Sequence, residues 1–270
     1  MAEAEASYRI VDVFTDRPLS GNAVCVVTDP VPEPLMQPLA LEVNLSETTF
    51  VTLTGDHTYD VRIFTPANEL PFAGHPTLGT AWALGPGTWT QRSPGLTVEV
   101  ETDERGATFA QPDPKITEVY PEEVAAALGL LDTDASVAFL IDAGGTKHVI
   151  VPTDHPLGSI RFNRERMVSV ARSFGATGVA AMRATGKASV QVRLVVPAGA
   201  GYEDPGTGSA AGAVGLIARD RWGLDEDIVI SQGDEIGRPC RIRVHAERGN
   251  VRVGGDVAAC AAGVFALPSE

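Results

Sequence analysis

Two stretches of this 270-residue chain follow one plan. In the first, Val61-Arg62-Ile63-Phe64-Thr65-Pro66 reads as a strand closed by proline, and His75-Pro76-Thr77-Leu78-Gly79-Thr80-Ala81 reads as the start of a helix. In the second, Val192-Arg193-Leu194-Val195-Val196-Pro197 and Asp204-Pro205-Gly206-Thr207-Gly208-Ser209-Ala210 repeat strand and helix start. The offsets, 192 − 61 = 131 and 204 − 75 = 129 with the prolines aligned, are almost half the chain. Solenoid repeats have periods of roughly 20–50 residues, so this spacing implies duplication of a whole domain rather than an array.

Both repeated helices, "LGTAWAL" and "SAAGAVGLIA", lack a charged face, and a helix of that kind must be wrapped by protein. A mostly antiparallel sheet curled barrel-like around a central apolar helix, built once per half, meets the demand. The expected fold class is therefore α+β, with two pseudo-symmetric domains. Elsewhere "YRIVDVFTDRPLSGNAVCVVTD" reads as a hairpin, "PEPLMQPLALEVNL" as a helix and "ETTFVTLTG" as a strand, with Glu47 at the corner between the last two. "GLTVEVETDERGATFA" alternates like an antiparallel pair, "PEEVAAALGL" and "FNRERMVSVARSFG" read as helices, and "VAFLIDAGGTKHVIVP" as strand with a glycine turn. The prolines of "QPDPK" at 111–115 interrupt all periodicity and set the expected boundary, giving domains 1–115 and 116–270, with the C-terminal residues able to pack back on the first.

A helix start leaves backbone N–H groups without partners at the positive end of its dipole, where anions bind. Asp204 before Pro205 fits an N-cap followed by proline at the first helical position, with His75 before Pro76 in the equivalent place. Gly206, Thr207, Gly208 and Ser209 are small enough to let a ligand reach the backbone. Two such units side by side would point both helix entrances into an interdomain cleft, a preferred place for small-ligand sites.

Composition removes other classes of partner. With 35 acidic against 21 basic residues the net charge is −14, which opposes attraction to nucleic acid or to anionic lipid. Three cysteines, Cys25, Cys240 and Cys260, form neither a disulfide framework nor a metal spacing. No segment reads as a signal peptide and no apolar run approaches the ~20 residues needed to span a bilayer, so a cytoplasmic protein is expected.

The motifs "DVFTDRPLSGNAV", "NLSETTFV", "RIFTPANELPFAGHPTLGTA", "EDPGTGSAAG" and "QGDEIGRPCRI", in this order from about Tyr8 to the C-terminus, resemble the phenazine-biosynthesis-like (PhzF-like) isomerase family. The resemblance implies a diaminopimelate epimerase-like fold with the active site between the domains. It implies Glu47 as the acid/base, His75 and Asp204 as its polar partners, and Ser209 as a substrate-binding hydroxyl, with Gly74, Thr207 and Gly208 also at substrate-binding positions. It further implies isomerisation of a dihydro-hydroxyanthranilate-like carboxylic acid without metal or organic cofactor, by a homodimer.

The residues read by themselves agree. Moving a proton between carbons needs a group that takes and returns it at a pKa near the working pH. A glutamate qualifies when desolvation raises its pKa, and Glu47 lies beside apolar Leu45, Phe50 and Val51. Cysteine is absent from both helix entrances, which argues against a two-thiol racemase mechanism. An epimerase acting beside a carboxylate remains an alternative, as does a non-catalytic small-acid binder, although a binder needs no poised base. Thr80, at the position of Ser209 in the proline alignment, reads as structural; His57, His148, His155 and His245 read as surface or loop residues.

Overall fold

The structure, a computed structural model, describes residues 4–130, 135–197 and 202–268. Two compact units divide the chain: Met1–Ala110 with Gly254–Glu270, and Gln111–Val253. Residues 254–270 thus belong to the first unit, and the chain passes between units at 110/111 and 253/254.

The first unit begins with β1 (Ala4–Val13) and β2 (Asn22–Val27), an antiparallel hairpin registered from Tyr8↔Val27 to Val13↔Asn22. Its connection is held by the buried Asp12, whose carboxylate accepts the Leu19 N–H at 2.7 Å. Gly21 has φ +66°, and a Cβ there would strike the Val13 carbonyl. Helix α1 (Glu33–Val43) ends on Asn44 in the left-handed conformation and carries the chain over to β3 (Glu47–Gly55), parallel to β2. Then follow β4 (Thr58–Phe64), the short β5 (Glu69–Leu70), α2 (Gly74–Leu84), β6 (Gly87–Arg92), β7 (Thr97–Thr102) and β8 (Gly106–Ala110). The C-terminal strand β17 (Asn250–Leu267) pairs with both β8 and β1. The pairings β1-β2-β3-β4-β6-β7-β8-β17 and back to β1 close an eight-stranded barrel.

Helix α2 packs against β1, β2, β3, β6, β7 and β8, as the axis of that barrel. Nine of its residues are buried, so the uncharged sequence has found the enclosure it needs. Gly79 makes the closest approach possible: a Cβ there would lie 2.5 Å from Val24 Cγ1. A buried polar chain fixes the first turn. Tyr59 Oη donates to Gln91 Oε1 (2.9 Å), Gln91 Nε2 to Thr77 Oγ1 (2.8 Å), and Thr77 Oγ1 to the Ala73 carbonyl (2.8 Å). Each of these buried groups thereby has a partner, which a low-dielectric interior requires. Thr80 is structural, its hydroxyl paired with that of Thr49 at 2.9 Å.

The second unit holds β9 (Lys115–Val119), α3 (Glu122–Leu128), β10 (Ala138–Ala143), β11 (Thr146–Pro152), α4 (Arg164–Phe174), β12 (Gly178–Gly186), β13 (Ser189–Val196), β14 (Tyr202–Asp204), α5 (Gly208–Trp222), β15 (Asp227–Gln232) and β16 (Cys240–Glu247). Strand β11 is parallel to β12, and β13 to β15; the other pairings in the run from β9 to β16 are antiparallel. Helix α5 is buried from Gly208 to Ala218 and packs on β10, β12 and β16.

The order β2-α1-β3-β4-β5-α2-β6 therefore recurs as β11-α4-β12-β13-β14-α5-β15, with the same parallel crossovers. The register irregularity after Leu53 recurs after Ala184. An arginine of the long strand grips a glutamate of the short one in both units. Arg62 holds Glu69 (2.8 and 2.8 Å) and Arg193 holds Glu203 (2.7 and 2.8 Å).

Registers correct the proline alignment. Ile63 pairs with Leu70 and Phe64 with Glu69; Leu194 pairs with Asp204 and Val195 with Glu203. The repeat offset thus rises from 131 on the long strand (194 − 63) to 134 on the short one (204 − 70), because the second connection is three residues longer. Carried into the helices, which begin at Gly74 and Gly208, the offset of 134 sets His75 against Ser209, not against Asp204, and Thr80 against Val214.

Candidate active site

Glu47 opens β3, three residues beyond the Asn44 cap of α1, on the rung where it faces Val24 of β2. Its side chain is 12% exposed. His75 is the second residue of α2, in its first turn, and is itself buried. The structure brings the two together, with Glu47 Oε2 3.2 Å from His75 Nε2. The other ring nitrogen, Nδ1, lies 3.4 Å from Asn22 Nδ2.

Burial pushes the His75 pKa down to about 3, against a smaller upward pull from a hydrogen bond with the Ala23 backbone. The ring is therefore neutral at pH 7, holding one proton on one of its two nitrogens. A neutral imidazole facing a carboxyl can accept a proton's hydrogen bond or donate one, according to the side-chain tautomer. With its pKa held down by burial, it does not take up a second proton at neutral pH. Gly74, the first residue of α2, is buried at the same entrance.

In the second unit the structure corrects the reading of Asp204 as an N-cap. Thr207 caps α5, Pro205 lies ahead of the helix, and Asp204 is the last residue of β14. The reason is Gln232, at the end of β15. Its amide nitrogen donates to the Asp204 carbonyl (2.8 Å) and to Thr207 Oγ1 (2.9 Å), while its oxygen accepts the Thr207 N–H (3.2 Å). Thr207 Oγ1 in turn donates to Asp204 Oδ2 at 2.5 Å. The Asp-Pro-Gly-Thr segment is thus folded around a buried glutamine, and Thr207 uses its N–H and hydroxyl to hold the loop. Gly233, φ +81°, lets the loop pack close, since a Cβ there would strike Arg238 and Pro205 backbone.

Ser209 is the second residue of α5, buried, with Oγ 3.0 Å from His148 Nε2. Gly208 precedes it as the first helical residue, and the Ser209 carbonyl accepts Gln111 Nε2 at 3.1 Å. His148 contradicts its reading as a surface or loop residue. It is 2% exposed, within β11, and burial lowers its pKa to about 4. Sequence reasoning passed over both His148 and Gln232. Gln232 opens the quoted "QGDEIGRPCRI" motif, which was the available signal; His148 had none, being a lone histidine after a glycine turn.

Among the described residues no group of three or more His, Cys, Asp or Glu side chains has the arrangement of a metal site, and no helix is long and apolar enough to cross a membrane. The thiols of Cys25 and Cys240 are buried and their pKa values raised by desolvation, that of Cys25 to about 12, the opposite of a reactive thiolate.

The family described as phenazine biosynthesis-like protein matches residues 11–263. A trans-2,3-dihydro-3-hydroxyanthranilate isomerase of Pseudomonas chlororaphis is 36% identical over 259 residues, which cover 89% of this chain and 90% of that protein. An uncharacterized isomerase of Mesorhizobium japonicum is 34% identical over 92% of this chain and 95% of its own length. The solved structure of a predicted epimerase from Pseudomonas aeruginosa superposes with a TM-score of 0.82 at 29% identity, covering 98% of this chain and 100% of that one. The family match over residues 11–263 and the 36% identity to a named isomerase over most of both chains establish that this protein belongs to the phenazine biosynthesis-like family and is an isomerase of it.

Proposed function

We propose that the isomerase moves a proton between two carbons of a small cyclic or unsaturated carboxylic acid of the dihydro-hydroxyanthranilate type, with Glu47 as the acid/base and without metal or organic cofactor. The observation that carries this reading is the Glu47–His75 pair, 3.2 Å apart, with the imidazole held neutral by burial. Glu47 as carboxylate takes the proton from one carbon. The proton stays on its carboxyl, because protonating His75 would place a cation in a desolvated position. Glu47 then returns it at the second carbon, so one group serves both steps. His75, with Nε2 3.2 Å from Glu47 Oε2, is placed to orient the carboxyl and stays neutral throughout.

In the second unit, Ser209 and the first-turn N–H groups of α5 are assigned to the substrate carboxylate, and Asp204, ordered by Thr207, to a polar substituent. The named activity of the Pseudomonas chlororaphis relative supports this substrate class. A reducing cytoplasm suits a chain with three free cysteines. The buried, high-pKa thiols disfavour a thiol-based epimerase.

The test runs trans-2,3-dihydro-3-hydroxyanthranilate with the enzyme in deuterated water. The expected product has a shifted double bond, with the substrate's own proton carried by Glu47 to the receiving carbon and deuterium found there to the extent that the Glu47 carboxyl exchanges with solvent between the two steps, unaffected by EDTA. Glu47→Gln keeps shape but has no basic oxygen, and should lower kcat by ~10²–10⁴-fold or more with substrate binding retained. Wild-type turnover and labelling in Glu47→Gln would remove Glu47 as the base; inversion at one carbon without a double-bond shift would turn the reading to epimerisation.

A further inference from the structure

The repeated architecture places a contact beneath each axial helix at the same point. In the first unit the second residue of α2, His75, meets Glu47 from the β2–β3 rung Val24↔Glu47. In the second unit the second residue of α5, Ser209, meets His148 from the corresponding β11–β12 rung His148↔Gly178. The polar member has changed strands, from β3 in one unit to β11 in the other, and the opposite position has become glycine. That glycine is a steric requirement: a Cβ at Gly178 would lie 2.7 Å from His148 Nδ1.

The packing selects a tautomer. Nδ1 of His148 has no hydrogen-bond partner among the described residues. A proton there would be a buried orphan donor costing ~1–3 kcal/mol, whereas an under-used acceptor is better tolerated. The ring proton therefore belongs on Nε2, which donates to Ser209 Oγ, and the lowered pKa keeps the second proton off. A serine whose oxygen already accepts has its own O–H to give.

We propose that His148 is a positioning residue for substrate binding: donating from Nε2 to Ser209 Oγ, it directs the serine O–H towards a substrate carboxylate oxygen. This rests on the assignment of Ser209 to the carboxylate under the proposed function. His148 does not touch the substrate. It makes Ser209 a donor, which suits an anionic acid and not a ligand that presents a donor of its own at that point.

The test is a double-mutant cycle on the intact protein, with His148→Leu, Ser209→Ala and both together, and with His148→Gln, whose amide nitrogen can replace Nε2. Initial rates with trans-2,3-dihydro-3-hydroxyanthranilate give kcat and KM, and calorimetric titration with anthranilate, an unreactive aromatic acid, gives Kd. Orientation of one hydrogen bond to a charge predicts a rise in KM and Kd of ~10-fold for His148→Leu with kcat little changed, and partial recovery in His148→Gln. In the Ser209→Ala background His148→Leu should add nothing. Additive losses, or a kcat loss with KM unchanged, would overturn the proposal. If His148→Leu does not fold, as thermal unfolding will show, His148→Asn replaces it, because its shorter amide cannot reach Ser209. Equal Kd for the Asn and Gln variants then overturns the proposal. Failure of the wild type to turn over or bind either acid would refute the substrate reading instead, before any variant is compared.

Discussion

The two buried histidines make this protein's stability fall with acid by an amount that their burial sets. In the unfolded chain each titrates near the ordinary value of 6.5; in the folded protein His75 falls to about 3 and His148 to about 4. Between those limits the unfolded chain binds protons that the folded one refuses. The stabilisation is whole above pH 6.5 and is lost as pH falls towards the folded values. The slope is ~1.4 kcal/mol per pH unit per histidine, so each costs about 2 kcal/mol between pH 7 and pH 5, and the pair about 4 kcal/mol. That is a large share of the ~5–15 kcal/mol by which folded proteins usually exceed their unfolded states. The perturbation is His75→Gln, His148→Gln and their combination. Urea unfolding at pH 7, 6 and 5 is followed by tryptophan fluorescence, with Trp82 and Trp89 reporting the first unit and Trp222 the second. His245 has its pKa raised by Asp227 and changes stability in the opposite sense, but it is present in every variant and cancels in the comparison. The double variant should lose about 4 kcal/mol less than wild type from pH 7 to pH 5, each single variant about 2 kcal/mol less, in its own unit. Parallel pH profiles for wild type and double variant would refute the account of both rings as buried neutral groups.

The duplicated ion pairs predict unequal losses. Arg193 and Glu203 have side chains 9% and 10% exposed, and Arg193 also donates to the Leu157 carbonyl at 2.8 Å, so Arg193→Met should cost ~3–5 kcal/mol by leaving Glu203 buried and unpaired. Arg62 and Glu69, at 33% and 32%, are far wetter, and Arg62→Met should cost ~1 kcal/mol or less; equal losses in urea unfolding would show that exposure does not separate the two. A homodimer is expected in solution, and light scattering should give twice the 28.3 kDa chain mass, a mass of 28.3 kDa across a wide concentration range being the contrary result.

Much of the site was legible because its parts are local or repeated. The strand-proline-helix plan, written twice, dictated two helix-centred units, and the uncharged stretches 78–84 and 209–218 dictated that each helix be enclosed over that length. Glu47 at a helix-to-strand corner and His75 at a helix start were visible as positions, and the fold brought them within 3.2 Å. The failures are all non-local. Asp-Pro is the local pattern of a capped helix start, yet Gln232, 28 residues further on, holds Asp204 in a turn and moves the cap to Thr207. A three-residue difference in one connection was hidden by the aligned prolines, and only the registers of β5 and β14 revealed that His75 answers to Ser209. The 18-residue β17 is rich in alanine and glycine, poor strand formers whose pairing with β1 and β8 comes from closure of the barrel.

What the sequence by itself determined, then, are features governed by side-chain chemistry over a few residues: enclosed helices, turns, and which groups can carry a proton. What only the tertiary structure decided is which of those groups meet. His148 and Ser209 are 61 residues apart and joined because β11 lies parallel to β12 with Gly178 opposite the ring, and no local preference encodes a parallel register. Such a ladder is fixed by the packing of crossover helices and buried faces over the whole unit.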